Sequence, residues 1–594
     1  MARIIREDFA DMKKIINTPE TFVIEMCNGI ALAHPELEFI KKFKVIKKKN
    51  INCDKVSLIS GGGSGHEPAH AGFVGKGMLD AAVCGDVFAS PSQIQVYQAI
   101  KATASKKGTL LIIKNYSGDM MNFKNGAHLA MEDGINVDFV KVDDDIAVQD
   151  SLYTVGRRGV AGTVFVHKIA GAAAEKGREL PEVKAIAEKV IANVRSIGFA
   201  LTSCTVPAKG TPTFELGEKE MEYGVGIHGE PGIRREKLQS ADDLAKKMVT
   251  ALLKDLKITS RSKKEIAILI NGFGGTPLQE LYLLNNAVRR ELSKKSVRIY
   301  RTFVGNYMTS IDMAGASISI LKLDRQLKSL LSAKSDTPAL KISGAVEPSI
   351  FIDSAAESEE AKAASFTVET CLCHATIADK LSLCNMHYIV DKMSESIIRN
   401  EVPFCELDSH AGDGDFGMSV AKGFKQLKRE WSEVTQAETI GDFLDACSLV
   451  IMEYCGGASG PIWGSAFRAA GKAAGDKTEL TLAEFADIMQ AAVKGIQATG
   501  LRSFGRGAVV GDKTLIDALV PCADTLTEAA KAGKSFVVAL KEGAEAAVAG
   551  AEATKNIAAR MGRAGTVGDR SIGWPDAGAF GLGVIFTDIA NSIK

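Results

Sequence analysis

The sequence predicts a multidomain protein in which an α/β domain of two subdomains precedes an all-α domain. The first ~330 residues alternate short runs of Val, Ile and Leu with helical stretches, which is the pattern of an α/β domain. From Ser332 to Glu359 the chain accumulates Ser, Ala, Pro and acidic residues, as interdomain linkers do. After about Phe366, long Ala-rich stretches with few strand candidates indicate helices.

Individual elements follow from runs of apolar residues bounded by Gly or charged loops. The predicted strands are Lys55–Ser60, Leu110–Lys114, Val137–Val142, Ile266–Ile270 and Ile318–Lys322. The predicted helices are Ser92–Lys106, Pro181–Val194, Leu278–Ser293, Leu482–Ala498 and Ser535–Lys555. We therefore expect the α/β domain at 1–335 (subdomains about 1–190 and 191–335), a linker at 336–368 and the helical domain at 369–594.

Bulk composition narrows the class of protein. Lys plus Arg equals Asp plus Glu, 72 against 72, so nothing favours a nucleic-acid or membrane partner. The N-terminus lacks the apolar core of a signal peptide, and the 11 Cys are scattered, which predicts a cytoplasmic protein without a disulfide framework. Cys371, Cys373 and His374 cluster with Cys384 and His387, but these spacings match no common structural zinc pattern.

Three carboxylates stand within eight residues in the segment LDSHAGDGDFG. Asp408, Asp413 and Asp415 lie among glycines, and Mg²⁺ prefers such oxygen ligands together with phosphate oxygens. The EF-hand pattern is absent, because no Gly and Glu occupy the required positions. A plain acidic turn remains the alternative to a metal site.

Two Gly-rich segments follow. The first, GGASGP at Gly456–Pro461, separates two predicted helices, so it is either a phosphate cradle at a helix start or a tight helix–helix connection. The second, Gly505–Thr514, resembles a Walker loop, but Asp512 replaces a required glycine and no strand precedes it. A P-loop fold is therefore rejected.

The first half carries three polar motifs. GGGSGHEP follows a predicted strand, where an α/β sheet binds ligands. KNYSGD ends another strand, and its Asp119 is either a general base or the cap of a helix starting at Met120. GIHGEPG places His228 among glycines, although a lone His is more often structural or solvated.

The second half resembles the nucleotide-binding domain of dihydroxyacetone kinases in its three Asp, in GGASGP, in GDKTLIDAL and in the tail Arg560–Ala579. The resemblance implies an up-and-down barrel of helices in which the three Asp hold two Mg²⁺ ions that bridge the phosphates of ATP. It also implies nucleotide contacts from Gly456, Gly457, Ala458, Ser459, Gly460, Thr514, Asp576 and either Arg560 or Arg563. The sequence departs from the family at Phe416, Gly565–Val567, Trp574 and Ala577.

The first half resembles the sugar-binding domain of the same family, with GGGSGHEPAH, KNYSGD and GIHGEPG in the same order. The resemblance covers nearly the whole chain apart from the linker. It implies that His228 adds to the substrate carbonyl as a hemiaminal and that Asp119 deprotonates the attacking hydroxyl with the assistance of His66. It implies that the sugar hydroxyls are bound by Gly62, Gly63, Lys114 and Asp119.

The resemblance thus implies an ATP- and Mg²⁺-dependent kinase of dihydroxyacetone or a related C3–C4 sugar, such as glyceraldehyde or erythrulose. It also implies a homodimer in which the sugar site of one chain meets the nucleotide site of the other. Two further functions remain open for such a chain: cleavage of FAD to cyclic FMN at the nucleotide site, and a regulatory binding protein. The presence of His66, Asp119, His228 and the three Asp argues against the latter.

Overall fold

The computed structural model describes residues 14–148, 156–230, 232–259, 264–347, 374–410, 412–561 and 568–594. The chain forms two compact units, Met1–Asp353 and Ser354–Lys594. Within the described residues, no helix combines the length and the apolar character needed to cross a membrane.

The first sheet of the N-terminal unit has six strands in the order β1-β2-β4-β3-β5-β6. Strands β4, β3, β5 and β6 are parallel, and β1 and β2 add antiparallel at the β4 edge. The strands are β1 (Leu37–Ile40), β2 (Val45–Lys48), β3 (Ser57–Ser64), β4 (Ala81–Val87), β5 (Thr109–Lys114) and β6 (Val137–Val142). The accompanying helices are α1 (Phe22–Ala33), α2 (Gln93–Ala102), α3 (Ser117–Glu132), α4 (Thr163–Glu175) and α5 (Leu180–Asn193).

Both faces of this sheet are covered, which is why β3 and β5 are continuous apolar or glycine runs without alternation. Leu111 and Ile113 of β5 pack with residues of α2 and α3, whereas Leu110 and Ile112 pack on the opposite face with residues of α4 and α5. Twelve of the thirteen residues of α4 are buried, since this helix lies in the core that the two sheets of the unit share.

The second sheet has the order β11-β10-β12-β7-β8-β9 and is antiparallel except between β10 and β11. Its strands are β7 (Val194–Ala200), β8 (Glu220–Tyr223), β9 (Arg234–Lys237), β10 (Glu265–Gly272), β11 (Arg298–Gly305) and β12 (Gly315–Leu323). Its helices are α6 (Ala241–Asp255), α7 (Leu278–Lys294) and α8 (Arg325–Leu331). Alternate residues of β10 face α6 and α7 on one side and the shared core on the other.

The predicted strands and helices of this unit are all present, with ends shifted by a few residues. The stretch predicted to begin the linker belongs to the unit instead. Asp336 N–H donates to the Lys76 carbonyl at 2.9 Å, and the side chains of Leu340 and Ile342 are buried in the core. Apolar residues spaced among Ser, Thr and Pro give too weak a pattern to reveal this docking from the sequence.

Among its described residues, the C-terminal unit is helical apart from one two-residue strand pair, β13 (Leu381–Ser382) and β14 (Glu479–Leu480). Its helices are α9 (Leu383–Arg399), α10 (Glu401–Asp408), α11 (Phe416–Arg429), α12 (Trp431–Val434), α13 (Ile440–Tyr454), α14 (Ser459–Ala474), α15 (Leu482–Phe504), α16 (Ile516–Lys531), α17 (Phe536–Ala553) and α18 (Ala577–Ser592). In the described part of the chain, α9, α11 and α13 to α18 pack in this order, and α18 packs back on α9, which closes a ring. The predicted helical barrel is therefore confirmed.

Candidate functional site

The carboxyl ends of β3 and β5 form the first candidate site. The connection after β3 leads to β4 and the connection after β5 leads to β6, in opposite directions along the sheet. The crevice between β3 and β5 is therefore a topological switch point, where open α/β sheets bind ligands. Strand β3 ends in the Gly-rich GGGSG turn and β5 ends at Lys114. The sheet thereby brings two of the three polar motifs to one crevice.

Lys114 and Asp119 face each other beside Gly62. Lys114 is fully buried, and its Nζ lies 3.5 Å from Oδ2 of Asp119. A Cβ on Gly62 would overlap this Nζ, so the glycine leaves the space that the ammonium occupies. Asp119 is the third residue of α3, whose N-cap is Tyr116, so the alternative that Asp119 caps the helix is wrong. Its Oδ1 accepts a hydrogen bond from the Ser90 hydroxyl at 2.5 Å.

The two predicted histidines meet although 162 positions separate them, with their Nε2 atoms 3.1 Å apart. Nδ1 of His66 lies 2.8 Å from the Thr309 carbonyl, which only accepts, so Nδ1 carries the hydrogen and Nε2 the lone pair. His228 therefore donates its Nε2–H to His66. Burial, with the charges of His228 and Lys114, holds the pKa of His66 well below its usual value and keeps it neutral.

Residues that the sequence analysis did not single out hold the His228 ring. The rings of Tyr116 and Phe88 lie edge-on to it, with centroids at 4.5 and 5.2 Å. Glu230 accepts the backbone N–H of His228 at 2.7 Å, and the buried Arg158 lies 3.4 Å from Glu230. Burial alone would raise the pKa of Glu230, but hydrogen bonding and charge from His228 and Arg158 lower it to about 2. Glu230 stands inside GIHGEPG, whereas Arg158 carries no sequence signal.

Gly63, also predicted to bind substrate, has a different position. A Cβ there would lie 2.6 Å from the backbone carbon of Phe88. Its lack of a side chain lets β3 approach the β4–α2 loop closely. Gly63 therefore shapes the crevice, whereas Gly62 borders the Lys114 ammonium directly.

The second candidate site is the aspartate cluster after α10. Carboxylate oxygens of Asp408, Asp413 and Asp415 all lie within 4.8 Å of one another, and no other potential metal cluster of this kind occurs in the described residues. A Cβ on Gly412 would overlap the Asp408 carboxylate, so this glycine permits the tight turn. Oxygen ligands at this separation fit a hard cation such as Mg²⁺. Cys371 and Cys373 of the cysteine–histidine cluster lie outside the described residues.

A cleft extends from the aspartates between the ends of several helices. Among the predicted nucleotide contacts, it is lined by Asp408, Asp413, Asp415, Gly456, Ala458, Ser459, Thr514 and Asp576. Ser459 is the first residue of α14, a sixteen-residue helix whose positive N-terminal end favours an anion such as phosphate. Burial, with the charges of Asp517 and Asp408, raises the pKa of Asp576 to about 7, so at neutral pH this carboxyl is able to donate as well as accept a hydrogen bond.

The other predicted nucleotide residues stand apart from the cleft lining. Gly457, at φ +54°, makes the turn before α14, and Gly460 packs against the Cys455 carbonyl. Arg560 is exposed, and its backbone N–H donates to the Asp512 carbonyl at 3.0 Å. Arg563 lies outside the described residues.

Lys513, a residue of the Walker-like segment, is buried and its ammonium is directed into the protein. Nζ donates to the carbonyls of Ile557 at 3.1 Å, Trp574 at 2.9 Å and Ser571. The helix α15, and no strand, precedes this segment. These hydrogen bonds hold the segment before residues 562–567, at Ile557, to the segment after them, at Ser571 and Trp574. Lys513 also directly precedes Thr514, which lines the cleft.

An aromatic pair stands beside the metal loop. The Trp574 indole stacks on the His410 imidazole, with centroids 3.7 Å apart and planes 4° from parallel. Trp574 immediately precedes Pro575 and Asp576, which line the cleft. The stack connects the segment that carries the aspartates to the segment that carries Asp576.

Comparison with known proteins identifies the family of the chain. The Dak1 domain model matches residues 28–339, more than half of the chain, and the DAK2 domain model matches residues 410–591. The chain belongs to the dihydroxyacetone kinase family. It is therefore a kinase with the two domains of that family fused in one chain.

Some relatives match nearly the whole of this kinase, and others match one of its two domains. Triokinase/FMN cyclase of Rattus norvegicus is 34% identical over 598 residues, which is 98% of this chain and 99% of the relative. The dihydroxyacetone-binding subunit DhaK of a PTS-dependent dihydroxyacetone kinase from Listeria innocua is 51% identical over 330 residues, 55% of this chain and 100% of the relative. The crystal structure of the C. freundii dihydroxyacetone kinase with AMP-PNP and Mg²⁺ matches with a TM-score of 0.59 and 30% identity, covering 98% of this chain and 100% of that one.

Proposed function

We propose that the protein transfers the γ-phosphate of ATP to a primary hydroxyl of dihydroxyacetone or a closely related short ketose held on His228. The observation that carries this proposal is the Nε2–Nε2 pair of His228 and His66 at 3.1 Å, because it joins a nucleophile to a neutral base. Tyr116, the N-cap residue of α3 between Lys114 and Asp119 in the sequence, packs on the same His228 ring.

In the first step, Nε2 of His228 forms a bond to the substrate carbonyl carbon. The Nε2 hydrogen passes to the lone pair of His66 Nε2, and His66 returns it to the carbonyl oxygen, which becomes the hydroxyl of a hemiaminal. Glu230, ionised at neutral pH, accepts the backbone N–H of His228 at 2.7 Å and so holds the residue in place for this step. A polyol such as glycerol lacks the carbonyl and cannot be captured in this way.

In the second step, Asp119 accepts the proton of the primary hydroxyl while Lys114 orients it. The hydroxyl oxygen bonds to the γ-phosphorus as the bond to the β-phosphate oxygen breaks, and ADP leaves. Asp408, Asp413 and Asp415 would hold Mg²⁺, two ions in our proposal, whose charge neutralises the phosphates. The positive N-terminal end of α14, which begins at Ser459, favours a phosphate in the cleft.

A substrate panel tests this function. Dihydroxyacetone, glyceraldehyde, erythrulose and glycerol are supplied with Mg–ATP, and ADP release is followed; FAD with Mn²⁺ tests the cyclase alternative. We expect at least one C3–C4 ketose to be phosphorylated and glycerol to be inert. Relatives named L-erythrulose kinase and D-erythrulose kinase are the reason for including the four-carbon sugar.

His228→Ala should lower kcat/KM by ~10³-fold or more, since nucleophile and positioning are both lost. His128→Ala is the matched control, because His128 is an exposed histidine of α3 and should leave activity unchanged. Phosphorylation of dihydroxyacetone by His228→Ala at the control's rate would overturn the covalent mechanism. Glycerol turnover comparable with ketose turnover would do the same.

We further propose a homodimer in which the two sites meet across chains. Mixing and reassociating inactive His228→Ala and Asp413→Ala chains should then restore activity, because one composite site contains no altered residue. Equal inactivity of the mixture and of the separate variants, in dimers shown to have exchanged, would indicate that both sites of one chain act together.

A further inference from the structure

Behind the sugar site lies a buried chain of polar groups that the proposed mechanism does not use. His70 Nε2 lies 3.2 Å from Lys114 Nζ, and His70 Nδ1 lies 3.0 Å from His167 Nε2. Both histidines are buried, His167 completely. Two neutral imidazoles in the core next to an ammonium are costly to desolvate, so their presence requires an explanation.

The hydrogen positions in this series of side chains follow from which atoms can donate a hydrogen bond and which can only accept one. The Lys114 ammonium can only donate, so Nε2 of His70 carries a lone pair and Nδ1 the hydrogen. That hydrogen is directed to His167 Nε2, with the Ser60 hydroxyl oxygen at 3.4 Å as a second acceptor. Ser60 is free to accept because its own hydrogen goes to the Ile112 carbonyl at 2.7 Å.

His167 is the last side chain of this hydrogen-bonded series. Since its Nε2 accepts from His70, its hydrogen lies on Nδ1, and this buried atom has no hydrogen-bond partner in the described residues. Burial and the Lys114 charge lower the pKa of His167 to about 3, and burial, Lys114 and the neighbouring His167 and His66 hold that of His70 well below its usual value. Both rings therefore remain neutral and available as acceptors.

The contact with His70 bears on how closely Lys114 approaches Asp119. A lysine and an aspartate buried together would normally close to a direct ion pair of about 2.7–2.9 Å. Here Nζ stays 3.5 Å from Oδ2 of Asp119 while it is 3.2 Å from His70. Oδ1 of Asp119 is occupied by Ser90, so Oδ2 is the oxygen that remains for a substrate proton.

We propose that His70, held in its tautomer by His167, is a positioning residue that keeps the Lys114 ammonium from closing onto Asp119. Lys114 then keeps a donor for a substrate hydroxyl, and Asp119 keeps an acceptor for its proton. This inference rests on the proposed function, because it assigns the two groups their roles toward the ketose.

The test compares His70→Leu, which removes the acceptor, with His70→Gln, whose amide oxygen replaces it. Thr103→Val is the control for loss of a buried hydrogen-bonding side chain elsewhere in the unit. Each variant is measured for thermal stability, for KM of ketose and of ATP, and for dihydroxyacetone binding by calorimetry without nucleotide. A crystal structure of His70→Leu gives the Nζ–Oδ2 distance directly.

We expect His70→Leu to weaken ketose binding and raise its KM by ~10-fold or more, the scale of one charge-assisted hydrogen bond. Its ATP KM should stay unchanged, and its Nζ–Oδ2 distance should shorten to that of a direct ion pair. His70→Gln should restore most of the affinity. His167→Leu should show a smaller loss in the same direction.

Two results would overturn the inference: ketose binding by His70→Leu equal to that of Thr103→Val, or an unchanged Nζ–Oδ2 distance. If the unaltered protein bound no ketose, the proposed function itself would fail instead. The Nζ–Oδ2 distance in His70→Leu would still decide whether His70 positions Lys114.

Discussion

Gly62→Ala tests the sugar site most directly, because the space beside this residue is already filled. A Cβ at this position would overlap Lys114 Nζ and lie 3.2 Å from Oδ2 of Asp119. The backbone there has φ +153°, a conformation that residues with a side chain rarely adopt. The ammonium would have to move by about 1 Å to reach a normal van der Waals separation.

The displacement of the Lys114 ammonium determines how far kcat/KM should fall. Moving Nζ by this amount breaks its contact with His70 or with the substrate, and loss of one charge-assisted hydrogen bond is worth about 1.5–3 kcal/mol. This energy corresponds to a fall in kcat/KM for dihydroxyacetone of roughly 10- to 150-fold. Backbone strain should separately lower the stability of the unit by about 1–2 kcal/mol.

Gly134→Ala is the matched control. Gly134 also has positive φ, +80°, but no atom lies within 4 Å of its Cβ position, so only the backbone strain applies. ADP release gives kcat/KM, and a thermal melt gives stability. If both variants lost stability to a similar degree and kept kcat/KM within threefold of the unaltered protein, the assignment of Lys114 to substrate binding would be wrong.

The remaining predictions concern pH and the nucleotide cleft. His66, His70 and His167 have pKa values below those in the unfolded chain, so the unfolded state binds more protons and stability falls as pH drops below about 6.5. For His167, whose pKa is about 3, the loss by pH 5 should be roughly 2 kcal/mol, visible as a falling Tm. Lys513→Met orphans three carbonyls and should raise the KM for ATP while the KM for ketose is unchanged, and equal changes in both would contradict the assignment. Mg–ATP should change the tryptophan fluorescence, and Trp574→Phe should reduce the change, with Trp463 of the cleft lining as the remaining reporter. A change of the same size in Trp574→Phe would show that the nucleotide does not bind beside Trp574.

Much of the fold could be predicted from the sequence. Val-, Ile- and Leu-rich runs such as Leu110–Lys114 are strands because they are buried on both faces, and the Ala-rich stretches are helices because small side chains let helices pack closely. Short or polar strands such as β1, β9 and β11 gave no comparable signal, since edge strands carry few buried residues.

For the candidate sites, too, the sequence and the tertiary structure contributed different information. The sequence by itself identified the candidate motifs, because Gly-rich turns after strands and clustered aspartates are patterns that ligand and metal sites use. Only the tertiary structure decided which residues meet: His66 with His228, Arg158 with Glu230, and Lys114 with His70. It also decided that the Lys513 ammonium is directed into the protein and that Asp119 does not cap its helix. The physical reason is that hydrogen bonds and burial act over a few ångströms in space, whereas sequence patterns report only what is near along the chain.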